Sequence, residues 1–212
     1  MTLSLDLDAL PPATRYKLLT AVVIPRPVAW VTTLGEAGQV NAAPFSFFNV
    51  FGQDPALIVL GLEHHADGSP KDTTANIRRT GEFVVNIATP DLVTDMVGSA
   101  AAYPTDTSEP EALGLELAAS AHVAPPRLAG VPVAIECRQM TILSFSPERD
   151  LVIGRAVGMA SRDGLIDTDT WRVHWGGDYP VARLFADKYA RLEEIAPHSI
   201  PPAPQNLEPE GE

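Results

Sequence analysis

The sequence predicts a mainly β chain, an antiparallel barrel with a few peripheral α-helices. Three observations carry this. Short runs rich in Val, Ile, Thr and aromatic residues recur between Gly and Pro turn signals, one run alternates apolar with polar residues, and helical periodicity is brief. Pro27 to Leu34 holds Val28, Trp30, Val31 and two threonines, and Gly35-Glu36-Ala37-Gly38 then turns the chain into Val40 to Ala43, which reads as a hairpin. Further strands are expected at Ala56 to Leu62, Glu82 to Ile87, Val131 to Leu143 and Leu151 to Ala160. In the Val131 to Leu143 strand, Val133, Ile135 and Cys137 alternate with Ala134, Glu136 and Arg138, the pattern of a sheet with one buried face. Gly154 and Gly158 in the last strand point to close backbone approach or a bend.

Helices are expected at three places. Asp72 can cap a helix through Thr73, Asn76 and Ile77, which Gly81 is placed to end after Arg78 and Arg79. A second starts near Asp91 and continues through Met96. The third is Tyr179 to Glu194, where Val181, Leu184, Phe185, Tyr189 and Leu192 fall roughly on one helical face.

The formal charge of −12 on 212 residues argues against a nonspecific binder of nucleic acid or of an anionic membrane, because neither polyanion gains from an acidic surface. No apolar run approaches the roughly 20 residues that cross a bilayer, and no basic residue precedes Arg15 to start a secretory signal. A soluble, cytoplasmic protein is therefore expected. Cys137 is the only cysteine, which excludes an internal disulfide and a thiolate metal cluster and suits an inert buried thiol. The histidines follow no metal-ligand spacing, so no metal site is expected. Ser144 and Ser146 lie near no histidine in sequence, and Ser46 has no glycine elbow, so a serine hydrolase is poorly supported. Residues 1–12 read as a leader or arm and 13–195 as one domain. Residues 196–212 form a Pro/Glu-rich tail, disordered or packed on a partner subunit.

The most informative segments are Pro25-Arg26-Pro27-Val28-Ala29-Trp30-Val31-Thr32-Thr33, then Asn41-Ala42-Ala43-Pro44-Phe45-Ser46-Phe47-Phe48-Asn49 with Asp54-Pro55. Lys71-Asp72-Thr73 with Asn76-Ile77 follows, leading into Gly81-Glu82-Phe83-Val84-Val85-Asn86. In this order and spacing they resemble the flavin-reductase-like FMN-binding split-barrel family, which includes flavoredoxin-type proteins. The resemblance covers roughly residues 13 to 190 and implies an antiparallel Greek-key split β-barrel, bound FMN and a homodimer with FMN near the subunit interface. It also implies electron transfer through the flavin, with NADH or NADPH as a transient donor, or alternatively a non-catalytic electron carrier between protein partners. A pyridoxamine-phosphate-oxidase type of barrel, or a haem-handling relative, fits the Pro-Arg-Pro and Lys-Asp-Thr motifs less well.

The residues support the same cofactor. A phosphate with nearly two negative charges needs a compact cation, hydroxyls and free amides, which Lys71 before a helix N-terminus with Thr73 and Thr74 supplies. Asp72 is an awkward neighbour for a dianion and is expected to turn back onto its own helix; a plain capped helix would look the same in sequence. The Asn41 to Asn49 loop offers amides that Pro44 frees from pairing, with Phe45, Phe47 and Phe48 to pack on a flat ring or the core, and Ser46 and Asn49 to hydrogen-bond. By resemblance, this loop lines the flavin, and Thr32 and Thr33 reach its phosphate or ribityl chain. No side chain is assigned as a catalytic group. Trp30 fills the core or an interface or meets the cofactor, and Arg26 pairs with phosphate, a partner carboxylate or a surface acid. His174-Trp175-Gly176-Gly177-Asp178-Tyr179 resembles a family segment in which His174 and Trp175 replace the commoner Arg-Leu.

Overall fold

In a computed structural model that describes residues 2–201, the expected hairpin forms around Gly35 to Gly38. Helix α1 (Pro12–Val22) and strand β1 (Arg26–Pro27) precede its two arms, β2 (Ala29–Leu34) and β3 (Val40–Phe45). Gly38 takes the turn with φ of 87°, a left-handed conformation that needs no Cβ, and the register pairs Leu34 with Val40. After it come β4 (Phe48–Gln53), β5 (Ala56–Glu63), α2 (Asp72–Thr80) and β6 (Glu82–Ile87). A 3-10 turn (Pro90–Leu92) leads into α3 (Val93–Gly98), then α4 (Glu109–Ala112), β7 (Leu117–Ala118) and β8 (Arg127–Leu128). Two long strands, β9 (Val133–Ser146) and β10 (Arg149–Ser161), precede the short β11 (Ile166–Asp167), β12 (Arg172–Val173), β13 (Ala182–Arg183) and β14 (Tyr189–Ala190).

Seven strands form one antiparallel sheet in the order β3-β2-β6-β9-β10-β5-β4. Its two edges, β3 and β4, are consecutive in the chain and joined only by Ser46 and Phe47. Two linking residues span at most about 11 Å from Phe45 to Phe48. The sheet must therefore curl until its edges approach, so the barrel is closed by the crossing chain and not by a ladder between β3 and β4. This is the split barrel. The crossing is fixed by the Gly61 amide, which donates to Phe47 O at 2.7 Å.

Both faces of the curled sheet are covered. Inside lie Ala29, Val31, Ile58, Leu60, Leu62, Phe83, Val85, Cys137 and Val152, with Ile77 of α2 plugging one end. Outside, Val28, Trp30, Ala42, Val84 and Ala134 pack under Met96 of α3 and under Val123, Leu128, Val131 and Val181. Trp30 is thus a core residue, its Nε1 donating to Ser99 Oγ at 2.9 Å. The single buried face expected of β9 is corrected for the same reason. Ala134 and Glu136 are buried as well, and the Glu136 carboxylate accepts from the Ala121 and His122 amides of the covering loop. Burial pushes the Cys137 thiol up to about 12, as an inert buried thiol requires. Gly154 and Gly158 sit at register shifts of β10, each against a ring; a Cβ on Gly158 would lie 2.3 Å from His122 Cδ2.

Several local expectations change. Pro12, expected to end a leader, instead opens α1; at the first helical position its missing N–H costs nothing. The helix expected at Tyr179 to Glu194 is instead the hairpin β13–β14, drawn into extended pairing by β1. Pro44 does not break pairing: it sits in the edge strand β3 opposite Trp30. α2 ends at Gly81 as expected, with φ of 70°, but Asp72 is its first residue and makes no capping bond; Lys71 occupies the cap position. Residues 196–201 are exposed coil, and the rest of the tail lies outside the described residues. Among the described residues no helix is long and apolar enough to cross a membrane.

Four elements meet on one buried acid. Asp150 accepts from Ser144 Oγ at 2.5 Å and Arg78 Nη2 at 2.6 Å, with His64 Nε2 3.2 Å away. Ser144 and His64 therefore share Asp150 as a partner, and no hydrogen bond joins the serine to the histidine among the described residues. Burial raises the Asp150 pKa, but the contacts from Ser144, His64 and Arg78 outweigh it, leaving it below the usual carboxylate value. A folded-state pKa below the unfolded one stabilises above the ordinary range near about 4 and is lost as pH falls through the folded value. Asp150→Asn should cost about 1–2 kcal/mol at pH 7, and urea titration should show the gap to wild type closing below about pH 4. A gap of unchanged size at pH 3 would remove the charge from this account.

Candidate functional site

At the split, Phe45, Ser46 and Phe47 form one wall of a cleft of about 660 Å³. The opposite walls are the N-terminus of α2 with Lys71, Asp72 and Thr73, the Ser99 to Tyr103 segment, and the hairpin residues Arg183, Ala186 and Tyr189. Tyr16 of α1 and Arg149 of β10 close over Phe47: the Tyr16 ring centroid is 6.0 Å from that of Phe47, and the Arg149 guanidinium sits 4.4 Å over the same ring.

Six expected site residues line this cleft together: Phe45, Ser46, Phe47, Lys71, Asp72 and Thr73. Lys71 Nζ reaches Glu63 Oε2 at 3.2 Å, and Arg149 Nη2 lies 3.9 Å from Glu63 Oε1, so one carboxylate spans two cleft cations. Thr73 Oγ1 is 3.4 Å from the Asn41 side-chain amide, which joins α2 to β3. Ser46 Oγ accepts from Arg26 Nε at 3.3 Å. Three expected residues are elsewhere. Thr32 and Thr33 are fully buried: Thr32 Oγ1 donates to Pro126 O at 2.6 Å, and Thr33 Oγ1 accepts from Asn76 Nδ2 at 3.0 Å. Their hydroxyls are spent on holding loop and helix to β2 and do not reach the cleft. Asn49 faces a second cleft beyond Phe47, its Oδ1 accepting from the Val50 amide. Phe48 packs against the interior core, and so does Phe45 from its place in the cleft wall.

Arg26 lines the cleft and has no acidic partner among the described residues. Its guanidinium donates to Thr20 O at 2.5 Å, Val23 O at 3.1 Å and Leu184 O at 2.6 Å, tying α1 and the β13–β14 hairpin to the floor of the cleft. Sequence reasoning also missed Tyr16, Glu63, Glu109, Arg149 and Arg183, none of which stands in a motif. Glu109 is buried at the cleft wall, with Oε2 accepting from the Ala42 amide. Burial raises its pKa, the Ala42 bond works against that, and the nearby Asp72 adds to the rise.

The chemistry of this donor set suits a phosphorylated flavin. α2 has no side-chain cap, so its first-turn amides are left free beside the Lys71 ammonium and the Thr73 hydroxyl. Aromatic faces at Phe45, Phe47 and Tyr16 offer packing for a flat ring, and the cleft is of the size that holds cofactors. The Flavin reductase like domain matches residues 21–183 of this chain, from the end of α1 to the last residue of β13. The chain belongs to the flavin reductase-like family. A Deinococcus radiodurans relative is 40% identical over 173 residues, covering 79% of this chain and 76% of that protein. Two solved structures are similar over almost the whole length. 2-Nitrobenzoate 2-nitroreductase NbaA of Pseudomonas fluorescens is 34% identical, with a TM-score of 0.86, 97% of this chain and 100% of that one covered. Nitrilotriacetate monooxygenase component B of Bacillus cereus is 33% identical, with a TM-score of 0.87 and coverage of 93% and 99%. The match of the flavin reductase-like domain spans both the split at Phe45 to Phe47 and the start of α2.

Proposed function

We propose that this chain is an FMN-dependent oxidoreductase that works as a homodimer and draws electrons from NADH or NADPH. The observation that carries the reading is the uncapped N-terminus of α2, with Lys71 at its cap position, in the same cleft as the aromatic wall of the split. Lys71, Thr73 and the first-turn amides are assigned to the phosphate, and Phe45, Ser46 and Phe47 to the ring. Asp72 lies beside them and disfavours a fully charged phosphate, an effect Lys71 offsets. Thr32, Thr33 and Asn49 are left out of the set because they do not line this cleft.

Bound FMN would supply two-electron chemistry, accepting hydride from a dihydronicotinamide and passing two electrons to an acceptor. The protein's part is to hold the phosphate, shield the ring and admit both reactants to one cleft. The likeness to a 2-nitrobenzoate reductase supports an aromatic nitro compound as the acceptor class.

The second cleft, about 590 Å³, supports the dimer. It is lined by Leu19, Val23, Phe48, Phe51, Phe145 and Leu151, and Phe145 is 83% exposed in the single chain. An apolar patch of this kind is what a subunit contact covers. Purified protein should be yellow or quench added FMN fluorescence, sediment as a dimer, and bleach on anaerobic mixing with NADH or NADPH. A failure to bind FMN sinks the proposal. Reduction by a partner protein alone would turn it into the electron carrier.

A further inference from the structure

The proposed flavin contacts leave one cleft cation unused. Lys71 and Arg149 share Glu63, and Arg26 is consumed by three backbone carbonyls and Ser46. Arg183 has no carboxylate within 4 Å among the described residues. Its guanidinium lies 4.5 Å over the Tyr189 ring, and Nη2 donates to Ala186 O across the turn of the β13–β14 hairpin. One such bond leaves most of the five guanidinium donors free.

The side chain is nevertheless held in place. β13 pairs with β1 through Arg183 opposite Arg26, and with β14 through Arg183 opposite Tyr189. Two arginines are thus paired across strands and both line the cleft of a protein with a net charge of −12, the positive charge of Arg183 acting on the Arg26 guanidinium. Like charges in proximity raise the free energy of the empty site and favour an incoming anion. Tyr16, Tyr103 and Tyr189 line the same space, so a planar group beside that anion has aromatic faces to meet.

We propose that Arg183 forms a second anion subsite of the cleft, which takes an oxyanion of the molecule exchanging electrons with the flavin. This rests on the FMN assignment above. A rigid, planar fork suits bidentate binding of either a carboxylate or a phosphate. Two sources carry that chemistry: the pyrophosphate of a nicotinamide dinucleotide, or the carboxylate of an aromatic acceptor.

Equilibrium titration separates them. Wild type, Arg183→Ala and Arg183→Lys are titrated with NAD+ and benzoate and with the neutral counterparts nicotinamide and benzamide, in the presence and absence of FMN. Arg183→Ala should weaken one of the two anions by about tenfold or more and leave its neutral counterpart within about twofold, with Arg183→Lys recovering part of the loss. The anion that is lost names the source. Retention of both anions by Arg183→Ala, an equal loss of the neutral compounds, or no anion binding by wild type overturns the proposal, and Arg183 then only closes its turn. Arg183→Gln, which can still donate to Ala186 O, takes the place of the alanine variant if that one does not fold. Wild-type protein that holds no FMN sinks the flavin assignment instead, and the titrations without FMN still decide Arg183.

Discussion

Phe83→Ala is expected to lower the unfolding free energy by about 3–5 kcal/mol, the range for truncating a fully buried aromatic residue. The ring has zero exposure and stands in the barrel interior among Val31, Leu60, Ile77 and Val152. It also explains a glycine. A Cβ on Gly154 would sit 2.5 Å from Phe83 Cζ, so the bend of β10 at its register shift is made to fit this ring. Gly154→Ala alone should therefore overpack the interior, at about 1–3 kcal/mol. In the double variant the new methyl enters the space the ring vacated, and the total cost should fall below the sum of the two single costs. Urea denaturation of the four proteins measures this coupling. Costs that add to within about 0.5 kcal/mol would show that the two sites do not share a contact.

Lys71→Ala should weaken FMN binding by about 1.5–3 kcal/mol, roughly ten- to a hundredfold, and leave riboflavin binding unchanged. The prediction follows from charge: riboflavin lacks the phosphate that the ammonium is assigned to hold. The lysine is 44% exposed and already paired with Glu63, so solvent and that carboxylate both temper the effect, and the lower end of the range is the better expectation. Raising the salt should shrink the difference between wild type and variant further. Calorimetry with both flavins is the measurement. An unchanged FMN affinity, or an equal loss for riboflavin, would take Lys71 out of the phosphate site.

The sequence revealed those features that neighbours in the chain decide. The Gly35 to Gly38 turn, the start of α2 after Lys71 and its end at Gly81 are local, and each was readable from a few residues. So was the need for glycine at 154, although not the ring that imposes it. Residues 45 to 47 read as part of a loop in sequence, whereas they are the end of one strand and the crossing to the next. Thr32 and Thr33 show the limit. Their place on β2 was right, but which way a strand hydroxyl turns depends on Asn76 and Pro126, more than 40 residues away in the chain. Tyr16, Arg149 and Arg183 reach the cleft from both ends of the sequence through sheet closure and hairpin pairing, and no local pattern announces such a meeting. The apolar spacing of residues 179 to 194 fits a helical face, but only Val181 of that set is buried, Phe185 and Leu192 are exposed, and the segment is held instead by strand pairing with β1, a partner more than 150 residues away in the chain.

The way the barrel is shut has a mechanical consequence. A tube zipped along its whole circumference opens only by tearing a ladder. Here the gap between β3 and β4 is bridged by a strap of Ser46 and Phe47, pinned at Gly61. No ladder runs across that gap, so the cleft at the split is walled by side chains and by the strap itself, and a substitution at Ser46 or Phe47 reshapes the mouth without breaking a strand pairing of the sheet.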